Sequence, residues 1–246
     1  MPKPQERDLE QTKITFANWL ELKLENINNL NVELLGGPEN TGFSNETLSF
    51  NVSYNLDGDD VRKGMVLRFY PEGFFVFPDY DIHKQYLIMQ KLADHEIKVP
   101  NVLWYEPSDE VFGTSFYVME MAEGDAPSDN PPFHQEGWVA DSSEEIREKI
   151  WWGWVEEMSK VHQVDISTGE YEFLNRPQLA DNYLDQELNY YLNFHDWAME
   201  GEAHPVADQA REWLIANKPV SNQSSIIWGD SRCCLLYTSP SPRDRG

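Results

Sequence analysis

Three short stretches of this chain carry residue types suited to holding or moving a phosphate. The first is the loop 42–47, built from Gly42, Phe43, Ser44, Asn45, Glu46 and Thr47. Glycine lets the backbone come close to a ligand, and small polar side chains beside free N–H groups line anion sites. An ordinary hairpin end has the same composition, and because a strand rather than a helix follows, the loop is not of the Walker type. The second is Arg68, the only base in the run from Met65 to Phe69. A charge inside an apolar strand is costly unless it is paired or faces a ligand, and a guanidinium fork matches phosphate oxygens. An arginine turned to solvent from an edge strand would look the same. The third is Trp228, Gly229 and Asp230, a carboxylate on a glycine turn just past an apolar strand. Placed there, it can accept the proton of an attacking hydroxyl, or it can be a plain turn aspartate.

The elements around these residues are legible from periodicity. Leu9, Phe16, Leu20, Leu24 and Ile27 fall at helical spacing and predict an opening helix. A short strand is expected at 32–35. Leu48, Phe50, Val52 and Tyr54 then alternate with Ser49, Asn51 and Ser53, the pattern of a half-buried strand. A turn at 55–60 containing Gly58 leads to a returning strand at 65–69, so the two form an antiparallel hairpin. A helix over 81–95 follows, with Ile82, Tyr86, Met89 and Leu92 on its inner face, then strands at 102–105 and 116–121. Gly124 and the proline-rich stretch 126–133 mark a change of composition and a boundary between lobes.

Beyond it the pattern is helical. Ser142, Ser143, Glu144 and Glu145 form a helix start with acids in the first turn, and Ile146, Ile150, Trp154, Met158 and Val161 make its apolar stripe. Trp151, Trp152 and Trp154 are read as core packing. Further helices are expected at 179–197 and 205–216, and a last strand at 225–228.

Bulk properties narrow the partners. The 246 residues include 43 acidic and 19 basic side chains, a formal charge of −24, with 40% hydrophobic and 13% aromatic content. Such a chain folds around a real core, but its acidity argues against a nucleic-acid partner or an anionic membrane. The two cysteines, Cys233 and Cys234, are adjacent and build neither a disulfide framework nor a zinc site. No signal peptide or membrane span is read, and a cytoplasmic location is expected.

Taken together, these stretches resemble the aminoglycoside phosphotransferase superfamily of kinase-like proteins. The likeness is to its bacterial branch similar to the kinase-like domain of some acyl-CoA dehydrogenases. The residues that carry it are the loop 42–47; Val66, Leu67 and Arg68; Lys84, Gln85 and Tyr86; 116–120; Val161, His162, Gln163, Val164 and Asp165; and 228–232. The resemblance implies an α+β, two-lobed protein-kinase-like fold. Residues 1–121 would be a nucleotide-binding lobe with an antiparallel sheet, and 122–232 part of a mainly helical substrate lobe.

It also implies ATP and Mg²⁺ as cofactors and a small-molecule hydroxyl as phosphoryl acceptor. Gly42, Phe43, Ser44, Asn45 and Thr47 would cover the phosphates, and Arg68 would stand where a phosphate-binding lysine is usual. Glu120 and Met121 would belong to the hinge that meets adenine, and Asp230 would be the catalytic aspartate. Gln85 occupies the place of a glutamate expected to pair with the strand base, so a hydrogen bond replaces an ion pair. Trp228 stands where histidine is common.

The same resemblance calls for a metal-holding asparagine five positions after the aspartate, and residue 235 is Leu235. Residues 233–246 resemble the translation of a sequencing adapter, so that segment is expected to be non-native and the polypeptide a truncated, inactive form of its parent. No metal ligand is assigned within the chain. The alternative reading is a nucleotide-binding module without catalysis, supported by Gln85. A hydrolase using paired carboxylates rests only on runs such as Asp57, Gly58, Asp59 and Asp60, which suit solvated turns.

Overall fold

The computed structural model describes residues 7–36, 46–71, 77–125, 127–128, 131–220, 223–229 and 231. Helix α1 (Leu9–Lys23) opens on Asp8, whose carboxylate accepts a hydrogen bond from the Gln11 N–H at 3.0 Å, and closes with Lys23 in its last turn. It ends earlier than its apolar spacing predicts. Asn26 takes a left-handed φ of 59°, which asparagine tolerates, and turns the chain so that Ile27 begins a strand.

Strands β1 (Ile27–Gly36), β2 (Thr47–Leu56) and β3 (Asp59–Phe69) follow as an antiparallel meander. Asp57 and Gly58 join β2 to β3 with φ values of 53° and 98°. Two positive φ values in a two-residue loop are the mark of a hairpin turn whose twist matches its strands. Helix α2 (Ile82–Ala93) starts on Asp81, which accepts from the Lys84 N–H at 2.8 Å. Strands β4 (Val102–Glu106) and β5 (Phe116–Glu120) complete a five-stranded sheet of order β1-β2-β3-β5-β4. Every described pairing is antiparallel. Helices α3 (Glu144–His162), α4 (Tyr183–Met199) and α5 (Pro205–Ala216) make up the rest, with two short 3-10 turns between α3 and α4. The fold is therefore α+β, with an antiparallel sheet followed by helices.

The sheet is covered on both faces, by different helices. Phe16, Trp19 and Leu20 of α1 pack on Leu48, Phe50, Val52, Met65, Leu67, Phe69, Phe116 and Val118, all buried. On the opposite face, α2 lies over β4 and β5. There the His83 ring stacks on Tyr105 at 4.4 Å, and Tyr86 meets Tyr117 edge-on at 6.3 Å.

A second apolar cluster joins the α2 end to the later helices. It contains Leu92, Ile97, Val161, Val164, Tyr171 and Ile226. Two expectations fail here. The segment 225–228 pairs with no described strand, although Ile226 is buried and Trp228 packs beside it. An apolar run can be held by side-chain burial alone, and a ladder needs a partner strand as well. Trp151 and Trp152 are half exposed, and of the three tryptophans only Trp154 joins the packing, beside Val139 and Ile150. Helical spacing puts consecutive residues about 100° apart, so a run containing Trp151, Trp152 and Trp154 cannot all face inward.

Glu157 of α3 is buried, and it bonds the segment just after α2. Its carboxylate accepts from the Lys98 N–H at 3.0 Å and from Lys160 Nζ at 2.8 Å. Burial pushes its carboxyl up, but these hydrogen bonds and the nearby positive charges outweigh that and hold it below its usual value of 4.5. A depressed folded-state value stabilises above the unfolded value and is lost as pH falls through the folded one. Glu157→Ala is therefore expected to cost about 1–3 kcal/mol near neutral pH in urea denaturation. The gap to the parent chain should close below the ordinary glutamate range. A gap unchanged at acid pH would show that the carboxylate charge is not what stabilises the joint.

Candidate active site

Antiparallel register decides what stands beside Arg68. Thr47 of β2 lies directly opposite Arg68 of β3, which lies directly opposite Tyr117 of β5, which in turn faces Tyr105 of β4. Residues paired in this way project from the same face. The next row is Ser49, Val66, Met119 and Val102, and the row after it contains Asn51 and Gly64. This is the α2 face, since Tyr105 and Tyr117 carry the ring contacts to that helix. Arg68 thus sits on an interior strand of the sheet, which removes the reading of a solvent-facing arginine on an edge. It is half-buried, with small or apolar residues along the neighbouring row.

The Tyr117 ring is fully buried, and burial pushes its phenol up, with the nearby Arg68 guanidinium partly offsetting this. The approach falls short of an aligned hydrogen bond, because the hydroxyl has no hydrogen-bond partner among the described residues. Gln85 Oε1 on α2 is likewise buried without one. The hydrogen bond expected between Gln85 and Arg68 is therefore not made through that oxygen. The glutamine also cannot supply the charge that a glutamate would.

The hinge residues are engaged with the protein itself. Glu120 Oε1 accepts from Lys63 Nζ at 3.0 Å, and this bond holds the Glu120 carboxyl below its usual value. The Glu120 N–H donates to Asn101 O at 2.8 Å, and the Met121 N–H to Gly64 O at 2.9 Å. Neither N–H is left to meet a ligand.

The start of β2 is braced from the opposite side of the sheet. Arg7 binds the Glu46 carboxylate at 2.9 and 3.0 Å, donates to Phe112 O at 3.2 Å, and lies 4.2 Å over the Phe69 ring. The Phe69 N–H donates to Glu46 O at 3.0 Å. Gly42, Phe43, Ser44, Asn45 and Asp230 lie outside the described residues, as does 233–246. Gly229, just before Asp230, has a φ of 75°, a left-handed turn for which glycine is suited. Among the described residues there is no group of three or more His, Cys, Asp or Glu that could hold a metal ion, and no helix long and apolar enough to cross a membrane.

The chain has relatives in sequence and in fold. The family model for the phosphotransferase enzyme family matches residues 45–233. The chain belongs to that family. The chain is 25% identical to human acyl-CoA dehydrogenase family member 11 over 184 residues, 73% of this chain and 22% of that protein. It is 22% identical to mouse acyl-CoA dehydrogenase family member 10 over 176 residues, 72% of this chain and 15% of that protein. It is 24% identical to Arabidopsis thaliana acyl-CoA dehydrogenase IBR3 over 208 residues, 81% of this chain and 24% of that one. The chain thus spans under a quarter of the length of these relatives, and the dehydrogenase name belongs to the longer proteins. A crystal structure from Ralstonia eutropha JMP134 assigned to the aminoglycoside phosphotransferases superposes with a TM-score of 0.58 at 21% identity. The overlap covers 92% of this chain and 60% of that one, and it shows a shared fold.

Two residues on the same sheet face as Arg68 are not evident from motif reading, although the sequence carries a signal for each. Tyr117 follows from alternation, because Phe116 and Val118 face α1 and the residue between them must face the other way. Gly64 is the other. A Cβ built on it would lie 2.6 Å from Met121 Cε and 2.8 Å from Met121 Cβ. A methionine tip can swing away, but its Cβ cannot move without the backbone that is bonded to Gly64 O. Gly64→Ala should therefore destabilise the chain by about 1–3 kcal/mol through overpacking. In a double-mutant cycle, Met121→Gly should recover part of that loss, and strict additivity of the two changes would refute the contact.

Proposed function

We propose that this phosphotransferase, in its full-length parent, transfers the γ-phosphoryl group of ATP to the hydroxyl of a small molecule. The observation that carries the reading is the row Thr47, Arg68 and Tyr117, which sets a guanidinium in the middle of a sheet face beside the small and apolar row Ser49, Val66 and Met119. A flat apolar strip next to a cation fits a nucleotide, with the base on the strip and the phosphates at the charge. The loop 42–47, whose last residue is the Thr47 opposite Arg68, would close over the phosphates.

Since the Glu120 and Met121 N–H groups are already bonded, the hinge would meet adenine through carbonyl oxygens or through N–H groups further along. Asp230 would take the proton of the acceptor hydroxyl as its oxygen bonds to the γ-phosphorus and ADP leaves. Mg²⁺, when bound, supplies charge neutralisation to the phosphates. Its ligands would come from beyond Asp230, where Leu235 replaces the expected asparagine, so the chain ending in the adapter-like segment 233–246 would bind nucleotide without turning it over. A cytoplasmic setting, where ATP is plentiful, suits the reaction.

A second reading, nucleotide binding without catalysis, is favoured by Gln85, whose buried Oε1 is left without a hydrogen-bond partner among the described residues. Calorimetric titration of the chain with MgATP tests what the two share. Binding is expected, and Arg68→Ala should weaken it roughly 10- to 100-fold, the range for a lost charged hydrogen bond. No detectable MgATP binding by the parent chain would sink both. In a longer chain that carries metal-holding residues after Asp230, ATP turnover that vanishes in Asp230→Asn while binding persists would establish the enzyme. Turnover absent from that longer chain would establish the module.

A further inference from the structure

We infer that Tyr117 is the positioning residue for Arg68, a neighbouring strand doing through a hydroxyl what a helix carboxylate would otherwise do. The inference rests on the proposed nucleotide site and names how its cation is held. Arg68 and Tyr117 are direct partners in the β3–β5 ladder, so their side chains leave the sheet side by side on one face. The phenol ring is fully buried between that face and α2, where Tyr86 packs edge-on at 6.3 Å, so it has little room to move.

The helix offers less. Gln85 carries no charge, and its buried oxygen has no hydrogen-bond partner among the described residues. The Tyr117 hydroxyl is also buried and without a hydrogen-bond partner among the described residues, and it lies close enough to Arg68 for the guanidinium charge to act on it. A buried hydroxyl in that state is an acceptor waiting for a donor, and the guanidinium beside it has five N–H groups in a fixed fork. One N–H turned to the hydroxyl would satisfy the phenol oxygen and fix the plane of the fork, from which a further N–H could reach phosphate. The base is then located by the rigid ladder and not by α2, so its position does not depend on how that helix is placed.

The test separates phosphate recognition from general integrity. Tyr117→Phe keeps the ring and removes only the hydroxyl. Titrated by calorimetry, it should bind MgATP roughly tenfold more weakly than the parent chain, the scale of one lost hydrogen bond to a charged group. It should bind adenosine, which has no phosphate, as the parent does. Equal weakening of both ligands would mean that the tyrosine only supports the fold, and unchanged MgATP affinity would mean that it does not hold Arg68; either result overturns the inference.

If the variant does not fold, 3-fluorotyrosine at position 117 preserves both ring and hydroxyl. Its fluorine resonance should move on addition of MgATP and stay in place with adenosine, and the opposite pattern would again refute the role. A parent chain that binds adenosine and fails to bind MgATP would overturn the nucleotide-phosphate reading itself, a result distinguishable from failure of Tyr117 alone.

Discussion

The register of β2 on β3 and of β3 on β5 is the constraint from which the rest of the structure follows. Along each of these strands every second side chain lies under α1, and Leu48, Phe50, Met65, Leu67, Phe69, Phe116 and Val118 are all buried there. A slip of one residue would exchange the faces and drive Arg68 into that apolar layer while turning Leu67 and Phe69 out. Burying an unpaired guanidinium costs several kcal/mol, and each large apolar side chain brought out of the core costs about 1.5–3 kcal/mol. The sheet can be stable in one register, and in that register Arg68 stands between Thr47 and Tyr117. The site is thus a consequence of the core.

Much of this was readable in advance, for reasons that are local. Alternation over 48–54 marks β2 because half-burial imposes a period of two, and the hairpin to β3 follows from the turn residues Asp57 and Gly58. Helix α5 was legible because Pro205 can occupy its first turn, where no intrahelical N–H is needed.

Failures occurred where a distant partner or a single dihedral decided the outcome. Asn26 ends α1 by a positive φ, which no apolar spacing reports. Strand β1 runs from Ile27, ahead of the expected start at 32, because its register shifts between Asn28 and Asn31, where Asn29 takes a φ of 55°, and the shift hides the early part of its alternation. Segment 225–228 has a strand's composition and no partner strand among the described residues. At the site, the position of Arg68 could be read and its neighbours could not. Tyr117 and Gly64 act through cross-strand pairing, and their partners lie about fifty residues away in sequence.

The same register resolves a difficulty posed by the composition. A chain with 43 acidic and 19 basic residues should repel a polyanion. Screening confines distant charges, since the Debye length is about 8 Å at physiological salt, so what matters is the charge close to Arg68. On the α2 face of the central strands stand Thr47, Ser49, Asn51, Ser53, Gly64, Val66, Tyr117 and Met119, and none of these is acidic.

The carboxylates nearest in sequence, Glu46 and Glu120, fall on the other face by alternation, where Arg7 and Lys63 bind them. On α2 the inner residues Ile82, Gln85, Tyr86 and Met89 are uncharged as well. Gln85 gains a physical meaning in this setting. A glutamate there would put a carboxylate on the inner side of α2, whereas the amide adds no charge to it. Acidity at large and a positive centre within are therefore compatible, because the pleat puts Glu46 and Glu120 on the side of the sheet away from Arg68, each beside a cation of its own.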